Sequence, residues 1–361
     1  MNHMNMANLP RRMDKDRINA AINSANYLVS HHNKNGDYTV ESSWGPEGEI
    51  YRAVCIWMLV DVFNLTKNQI YIDTAKSILN RFKDRQRDTG GWAICLGNDG
   101  LRFKVTDKER EDSNNQEDPV IAGAILKSIV DYSQSTGDDE FIEMGSKAYQ
   151  YIVDIWDDDI GTVNENKDRE LTSLRSNPDA YHFLILQGID AWSRHGSQDA
   201  KNKFEMILSF VRKTYEDFTN DTMPLMIGYH VAILSKHSPI EYVVEVIRPK
   251  LEDYLNAGLF ASKDIEGGYG HRDGSRGIVT DELHMRSAIG LAYAMKSHDF
   301  FCETDHFTKT DQYKKLLRWI DSMNDGESFY EFQDSKDGKK YGKGSPSQYL
   351  TILWILGVTL Q

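Results

Sequence analysis

The amino-acid sequence predicts an all-α protein that folds as an (α/α)6 barrel, a toroid of six helical hairpins. Three features support this fold class: helical periodicity along most of the chain, alternation of short and long connections, and proline-marked starts of helices that follow long connections. Alternating apolar and polar runs, which would indicate strands, are almost absent. A sheet-based fold is therefore not expected.

The bulk composition suits one large globular domain. Of the 361 residues, 40% are hydrophobic and 27% are charged, so the chain can bury enough apolar surface to offset its ordering entropy. No linker or low-complexity segment divides it. We predict a flexible N-terminal segment over 1–14 and a single toroid domain over 15–361.

Apolar residues spaced at helical intervals predict twelve helical segments. Odd-numbered segments, such as the fifth, carry an apolar stripe opposite a charged face, which is typical of an outer wall. Even-numbered segments, such as the fourth, are apolar around most of their circumference, which is typical of an inner wall. The expected ranges are 15–32, 48–64, 69–84, 119–135, 138–156, 178–195, 198–216, 223–235, 239–256, 281–297, 309–323 and 346–360.

The connections between these segments alternate in length. Every even-numbered segment except the eighth follows a long, polar, glycine-containing connection, at 33–47, 85–118, 157–177, 257–280 and 324–345. Long loops in a compact domain are usually functional, and a ring of hairpins would gather all of these on one rim. We expect the functional cleft at that rim.

Three of the long connections end in a helix-start signal. Asp118-Pro119, Asn177-Pro178 and Ser345-Pro346 each place a good N-cap residue before a proline. Proline is tolerated at the first helical position because its missing N–H has no intrahelical partner there. These pairs indicate where three inner helices begin.

The charge and the cysteines exclude several classes of protein. A net charge of −13 opposes binding to nucleic acid or anionic lipid. The cysteines Cys55, Cys95 and Cys302 show no CxxC spacing, so neither a disulfide framework nor a structural zinc site is expected. No cofactor or metal signature is present, and no window is apolar enough to span a membrane. We expect a cytoplasmic protein, and its oligomeric state stays open.

The segment 76–92, KSILNRFKDRQRDTGGW, carries Gln86 before Gly90-Gly91-Trp92. It resembles the QW repeat of the terpenoid cyclase and protein prenyltransferase superfamily. The segment 133–162 is similar to the hairpins of six-hairpin glycosidases, uronyl hydrolases and sugar epimerases. Both resemblances imply the same toroidal fold, which hosts many chemistries.

Catalytic signatures of the terpenoid relatives are missing. The run Asp157-Asp158-Asp159 lacks the spacing of a DxDD acid motif, and no Asp-x-Cys pair could supply zinc ligands. None of the three cysteines precedes a histidine, as a lanthionine-type cyclase would need. These absences favour a carbohydrate substrate over a terpenoid one.

Polar and aromatic side chains occupy the first turns of the even-numbered segments, next to the long connections. The candidate catalytic residues are Asp118, Asp179, His182, His230, Glu282 and His284. The candidate substrate-binding residues are Trp44, Glu49, Arg52, Trp92, Tyr181, Tyr229, Arg286, Gln348 and Tyr349. Carboxylates can act as acid and base at a glycosidic bond, and histidines can move a proton at a sugar carbon. Aromatic faces can stack on sugar rings, and arginine can hold a sugar carboxylate.

Each candidate also has a structural interpretation. Asp118 and Asp179 can simply cap helices, and His182 and His230 can be hydrogen-bonded core residues. Trp92 can pack between hairpins. Glu282 and Arg286 are spaced as a helical i,i+4 ion pair, yet 281–286 holds four ionisable side chains directly after a glycine-rich loop, a density that favours function.

The sequence therefore predicts a carbohydrate-active enzyme, a glycoside hydrolase or lyase acting on an oligosaccharide that can contain uronate. The segment 267–286 is expected to carry the chemistry. Two alternatives stay open: a terpenoid cyclase or prenyltransferase-like enzyme, and a non-catalytic toroid that binds a glycan or a protein. The sequence does not choose among hydrolysis, elimination and epimerisation.

Overall fold

The computed structural model of the chain describes residues 15–34, 36, 49–93, 117–164, 180–273 and 276–356. In these ranges the chain forms twelve helices and seven short strands, and the helices make an inner and an outer ring. The predicted (α/α)6 barrel is confirmed. None of the helices in the described ranges combines the length and the apolar character that a bilayer crossing requires.

The helices occur close to the predicted ranges. In chain order they are α1 (Lys15–Ser30), α2 (Glu49–Thr66), α3 (Gln69–Arg85), α4 (Pro119–Thr136), α5 (Ile142–Asp154), α6 (Phe183–Arg194, after a 3₁₀ turn at Ala180–His182), α7 (Gln198–Glu216), α8 (Pro224–His237), α9 (Ile240–Tyr242, Val243–Ile247 and Arg248–Ala257), α10 (Met285–Phe301), α11 (Asp311–Ser322) and α12 (Ser345–Leu356). The middle part of α9 is π-helical and precedes Pro249, whose ring would clash with a carbonyl of a regular helix.

The even-numbered helices form the inner ring. Along the chain each packs on the next, and α12 contacts both α10 and α2, which closes the ring. The outer helices bury one stripe only: α11, for example, buries Tyr313, Leu316, Trp319 and Ile320. The buried apolar residues of both rings belong to one cluster.

Glycines allow the inner helices to approach each other closely. A Cβ atom at Gly188 of α6 would lie 2.3 Å from the Gly123 carbonyl oxygen of α4. A Cβ atom at Gly228 of α8 would lie 2.2 Å from the Gly290 carbonyl oxygen of α10. Because these neighbours are backbone atoms, no side-chain rotation could make room for a larger residue.

The strands lie in the long connections that precede inner helices. They are β1 (Trp156–Asp157), β2 (Thr162–Val163), β3 (His271–Asp273), β4 (Gly277–Val279), β5 (Glu282–His284), β6 (Phe332–Asp334) and β7 (Lys340–Tyr341). They form the antiparallel pairs β1–β2 and β3–β4 and a three-stranded sheet in the order β5-β6-β7. This sheet joins the connection before α10 to the connection before α12.

Two predicted helix starts are four residues too early. The fifth segment is predicted from residue 138, but α5 begins at Ile142. The tenth segment was expected from residue 281, but α10 begins at Met285 and Glu282–His284 is strand β5. The backbone of β5 pairs with β6 and so cannot begin a helical hydrogen-bond ladder. The predicted cap at Asp118 is confirmed, since its carboxylate accepts a hydrogen bond from the Val120 N–H at 2.8 Å. Asn177 and Pro178 lie outside the described residues.

We expect Gly290→Ala to destabilise the protein by roughly 2–3 kcal/mol, because a methyl group there must displace backbone. Its Cβ atom would lie 2.7 Å from the Leu225 Cα atom and 3.0 Å from the Pro224 carbonyl oxygen. The free energy of unfolding, measured by urea denaturation followed by circular dichroism, checks this expectation.

Gly145→Ala on the outer helix α5 is the matched control. There the added methyl meets side chains, with the nearest atom of Trp192 at 3.0 Å, and side chains can adjust. The higher helix propensity of alanine, about 1 kcal/mol, offsets part of any remaining strain. Equal losses of stability in the two variants would contradict the proposed role of the inner glycines.

Candidate active site

The candidate site lies at the rim formed by the long connections. In the sheet, Glu282 is opposite Asp334, Leu283 is opposite Gln333 and His284 is opposite Phe332. Because side chains alternate along a strand, Glu282 and His284 project from the same face of β5 while Leu283 enters the core on the other. The strand thus presents two ionisable side chains side by side.

A histidine from β3 joins these two side chains. The His271 Nε2 atom lies 4.0 Å from the Glu282 Oε1 atom. The rings of His271 and His284 meet edge to face, with centroids 5.6 Å apart. Both histidines are buried, and Glu282 keeps partial access to solvent. We call His271, Glu282 and His284 the histidine–glutamate cluster.

The hydrogen bonding of His284 fixes its tautomer. Its Nδ1 atom accepts the N–H of Arg286 at 3.0 Å, which caps α10. An acceptor nitrogen carries no proton, so in the neutral ring the proton is on Nε2. His284 therefore offers a hydrogen-bond donor, and not a base, at its outer nitrogen.

Arg286 in the first turn of α10 is held on two sides. Its Nη1 donates to the Tyr51 hydroxyl at 3.0 Å, and its Nη2 donates to Glu331 Oε1 at 3.0 Å. The guanidinium also lies over the Tyr51 ring, 5.2 Å from its centroid. Burial alone would lower the pKa of Arg286, but Tyr51 and Glu331 outweigh it and raise that pKa. The arginine is a fixed cation with 12% of its side chain exposed, two residues after His284 of the histidine–glutamate cluster.

Aromatic side chains from four inner helices lie around this arginine. The rings of Tyr51 and Tyr349 are 6.0 Å apart, and Tyr229 stacks on Phe183 at 4.4 Å. Tyr181 also stacks on Phe183, with ring centroids 6.4 Å apart. Burial raises the pKa of Tyr229 and of Tyr349, so both hydroxyls stay neutral. Flat faces and neutral hydroxyls can contact a sugar ring.

Glu49 and Arg52 belong to an ion cluster at the start of α2. Glu49 is 1% exposed, and it accepts hydrogen bonds from Arg81 at 2.7 and 3.0 Å and from Arg52 at 3.3 Å. Arg85 adds a contact at 3.5 Å. These arginines on α3 and α2 tie the start of the inner helix to the outer wall.

Three further predicted residues make structural contacts. Asp118 caps α4, as described above. Trp92 is 1% exposed and donates from its indole to the Phe82 carbonyl at 2.8 Å. Gln348 is fully buried and bonds both backbone groups of Phe329, donating at 2.8 Å and accepting at 3.1 Å.

His182 and His230 lie in the walls of the barrel. The His182 Nδ1 atom is 2.8 Å from the Thr162 hydroxyl, and its ring faces Phe210 of the outer helix α7. The His230 ring packs against Phe183 and Phe218, and burial lowers its pKa to about 4. His182 and His230 thus contact residues of the barrel helices and of β2, whereas His284 contacts His271 of the histidine–glutamate cluster.

Two predicted residues, Trp44 and Asp179, lie outside the described residues. The sequence interpretation overlooked His271 and Glu331. The one local feature that could have indicated His271 is its position in the glycine-rich stretch 267–274. Glu331 belongs to the site because it binds Arg286, which lies 45 residues earlier in the chain. Within the described residues, no group of three or more His, Cys, Asp or Glu side chains is arranged to hold a metal ion.

No protein-family model matches the chain, and no curated protein matches its sequence. Solved structures match its fold along nearly the whole length. Cellobiose 2-epimerase from Bacillus thermoamylovorans B4167 is similar with a TM-score of 0.69 at 10% identity, covering 95% of this chain and 100% of the other. A D-mannose isomerase has a TM-score of 0.67 at 10% identity, covering 96% and 97%.

An inactive variant of an α-1,6-mannanase of Salegentibacter sp. HEL1_6, in complex with α-1,6-mannotriose, is similar as well. Its TM-score is 0.59 at 11% identity, covering 96% of this chain and 99% of the mannanase. At such low identity these likenesses concern the fold. The chain has the (α/α)6 six-hairpin architecture of these proteins.

Proposed function

We propose that the protein is a carbohydrate-active enzyme that moves a proton at a sugar carbon next to a carbonyl group, as a sugar epimerase or isomerase does. The observation that carries the proposal is the histidine–glutamate cluster next to the partly buried Arg286. Two of the structurally similar proteins are named as an epimerase and an isomerase, which supports the same reaction class.

Each group of the cluster has a defined task in this reaction. Glu282 or its neighbour His271 takes the proton from the carbon, and the electron pair left behind forms an enediol with the carbonyl group. The Nε2–H of His284 donates to the oxygen on which negative charge develops. Return of a proton to the opposite face of the same carbon gives the epimer, and return of the proton to the neighbouring carbon gives the isomer.

Arg286 and the aromatic residues orient the sugar. The guanidinium supplies a fixed positive charge near the developing oxyanion, and Tyr51 and Glu331 prevent it from moving. Tyr181, Tyr229 and Tyr349 offer ring faces and hydroxyls for a monosaccharide or an oligosaccharide.

Cleavage of a glycosidic bond is the second candidate reaction. Of the two ways to cleave that bond, elimination from a uronate fits the site better than hydrolysis. Hydrolysis uses two carboxyl groups on either side of the glycosidic bond, whereas here Glu282 stands with histidines and Glu331 is bound to Arg286. Elimination also begins with removal of a proton, and a fixed arginine suits the sugar carboxylate. A terpenoid substrate is disfavoured by these buried charges.

Incubation with aldoses and cellobiose in D₂O tests the proposal. Proton exchange at the carbon next to the carbonyl group should give deuterium incorporation at that position together with a new epimer or isomer, both visible by NMR. An unsaturated product from a uronate oligosaccharide would instead support elimination. New reducing ends without deuterium at that carbon would refute both.

Glu282→Gln is expected to lower turnover by about a hundredfold or more, because the ionisable group is lost while its shape is nearly kept. The thermal midpoint should hardly change, since Glu282 is partly exposed and its contact with His271 is 4.0 Å long. Turnover and thermal unfolding are measured on the same sample. Full activity in this variant would exclude Glu282 from the proton transfer.

A pair of His284 variants separates its capping role from its catalytic role. Asparagine keeps an acceptor for the Arg286 N–H, so His284→Asn should lose turnover and only the stability that the buried ring gains from packing on Phe332. His284→Ala removes the cap as well and should cost about 1 kcal/mol of stability in addition. Equal turnover in wild type and His284→Asn would show that His284 only caps the helix.

A further inference from the structure

A second polar cavity lies at the other end of the barrel. Its volume is about 140 Å³, and side chains from the middle and C-terminal parts of five inner helices surround it. Asp61 of α2, Gln187 of α6, Lys236 of α8 and Tyr293 of α10 are among them. No group proposed for the reaction at the long-loop rim borders this cavity.

Two tyrosines of the neighbouring helices α8 and α10 lie between the cavity and the candidate active site. Tyr293 borders the cavity, and its ring meets the ring of Tyr229 edge to face, with centroids 6.5 Å apart. Burial is the main cause of the raised pKa of Tyr229, and Tyr51 and Arg286 lie close enough to contribute to that pKa as well. The cavity is therefore distinct from the candidate active site.

The charged groups of the cavity are balanced. Lys127 pairs with Asp131, and Arg194 pairs with Asp190 at 3.3 Å. Together with Asp61 and Lys236, the lining holds three carboxyl groups and three lysine or arginine side chains. His237 also lines the cavity, and burial lowers its pKa to about 4, so it adds no charge near neutral pH. Such a lining has little net charge, which favours a neutral ligand over an anion or a cation.

Three of the lining groups have bonding capacity left. Gln187 Oε1 is buried with no hydrogen-bond partner among the described residues. Asp61 and Lys236 form neither a hydrogen bond nor an ion pair with another described residue. Burial raises the pKa of Asp61 to about 7 and lowers that of Lys236 to about 8. The amide oxygen of Gln187, the carboxyl group of Asp61 and the amine of Lys236 can therefore bind a ligand that both donates and accepts hydrogen bonds.

We propose that this cavity is a second binding site, and that its ligand is a small neutral polyol of three or four carbon atoms. Each hydroxyl both donates and accepts, which suits a lining of alternating acids, amines and amides. A cavity of about 150 Å³ is known to hold a molecule of about six heavy atoms, which is the size of glycerol. Ala232 and Ile233 supply an apolar wall for the carbon chain.

Methyl NMR on protein labelled at alanine and isoleucine tests the site directly. Ala232 and Ile233 line the cavity, whereas Ala53 and Ile352 do not, and the latter serve as internal references. Glycerol and erythritol are titrated as probes. We expect saturable shifts at Ala232 and Ile233, with a dissociation constant roughly in the millimolar range for ligands this small. Shifts that grow linearly and equally at all methyls would indicate a solvent effect and overturn the proposal.

Lys236→Met removes the amine and keeps the length of the side chain. It should weaken polyol binding at least tenfold, whereas Lys213→Met, at an exposed lysine of α7, should leave it unchanged. Asp61→Asn keeps a donor and an acceptor and should bind within a few-fold of wild type. Unchanged binding in Lys236→Met would overturn the assignment, as would saturable shifts with glycine or phosphate and none with the polyols. Because the readout needs no turnover, it is independent of the proposed sugar chemistry.

Discussion

The ring depends on direct backbone contact between inner helices. At Gly228 and Gly290, and again at Gly123 and Gly188, one helix occupies the space that a side chain would fill on its neighbour. This contact brings α8 close to α10 and α4 close to α6, and so sets the width of the barrel on two sides. The same close approach of α8 and α10 brings the rings of Tyr229 and Tyr293 together, with centroids 6.5 Å apart.

Buried carboxylates fix the starts of the inner helices against the rest of the rim. Glu49 is surrounded by arginines of α2 and α3, and Glu331 holds Arg286. Removing one partner of such a pair leaves an uncompensated buried charge, which typically costs several kcal/mol. The rim is therefore ordered by specific ion pairs as well as by packing, and these pairs position the groups to which we assign the chemistry.

The sequence predicts local features well and distant pairings poorly. The cap at Asp118 and the stripe on α11 depend on residues a few positions apart, so both were visible. Strand β5 was taken for the start of a helix because its partner, β6, lies about fifty residues further along the chain. The ion pair of Glu49 with Arg81 could not be predicted, because the two residues lie 32 positions apart and belong to different helices. The cavity around Asp61 could not be predicted from the sequence. The inner helices are apolar around most of their circumference, so the sequence does not show towards which neighbour a single polar side chain such as Asp61 points.

The sheet that joins the connections before α10 and α12 has a consequence for how such a protein can diversify. Glu282, His284, Arg286 and Glu331 all lie on β5, on β6 or within two residues of them, so the ladder between these strands holds the reacting groups as one unit. Within the part of the chain that the structure describes, the connections before α2, α4 and α6 contribute no strand to that ladder. A change in the length or composition of those connections can therefore leave the paired strands in place, and with them the groups of the proposed site.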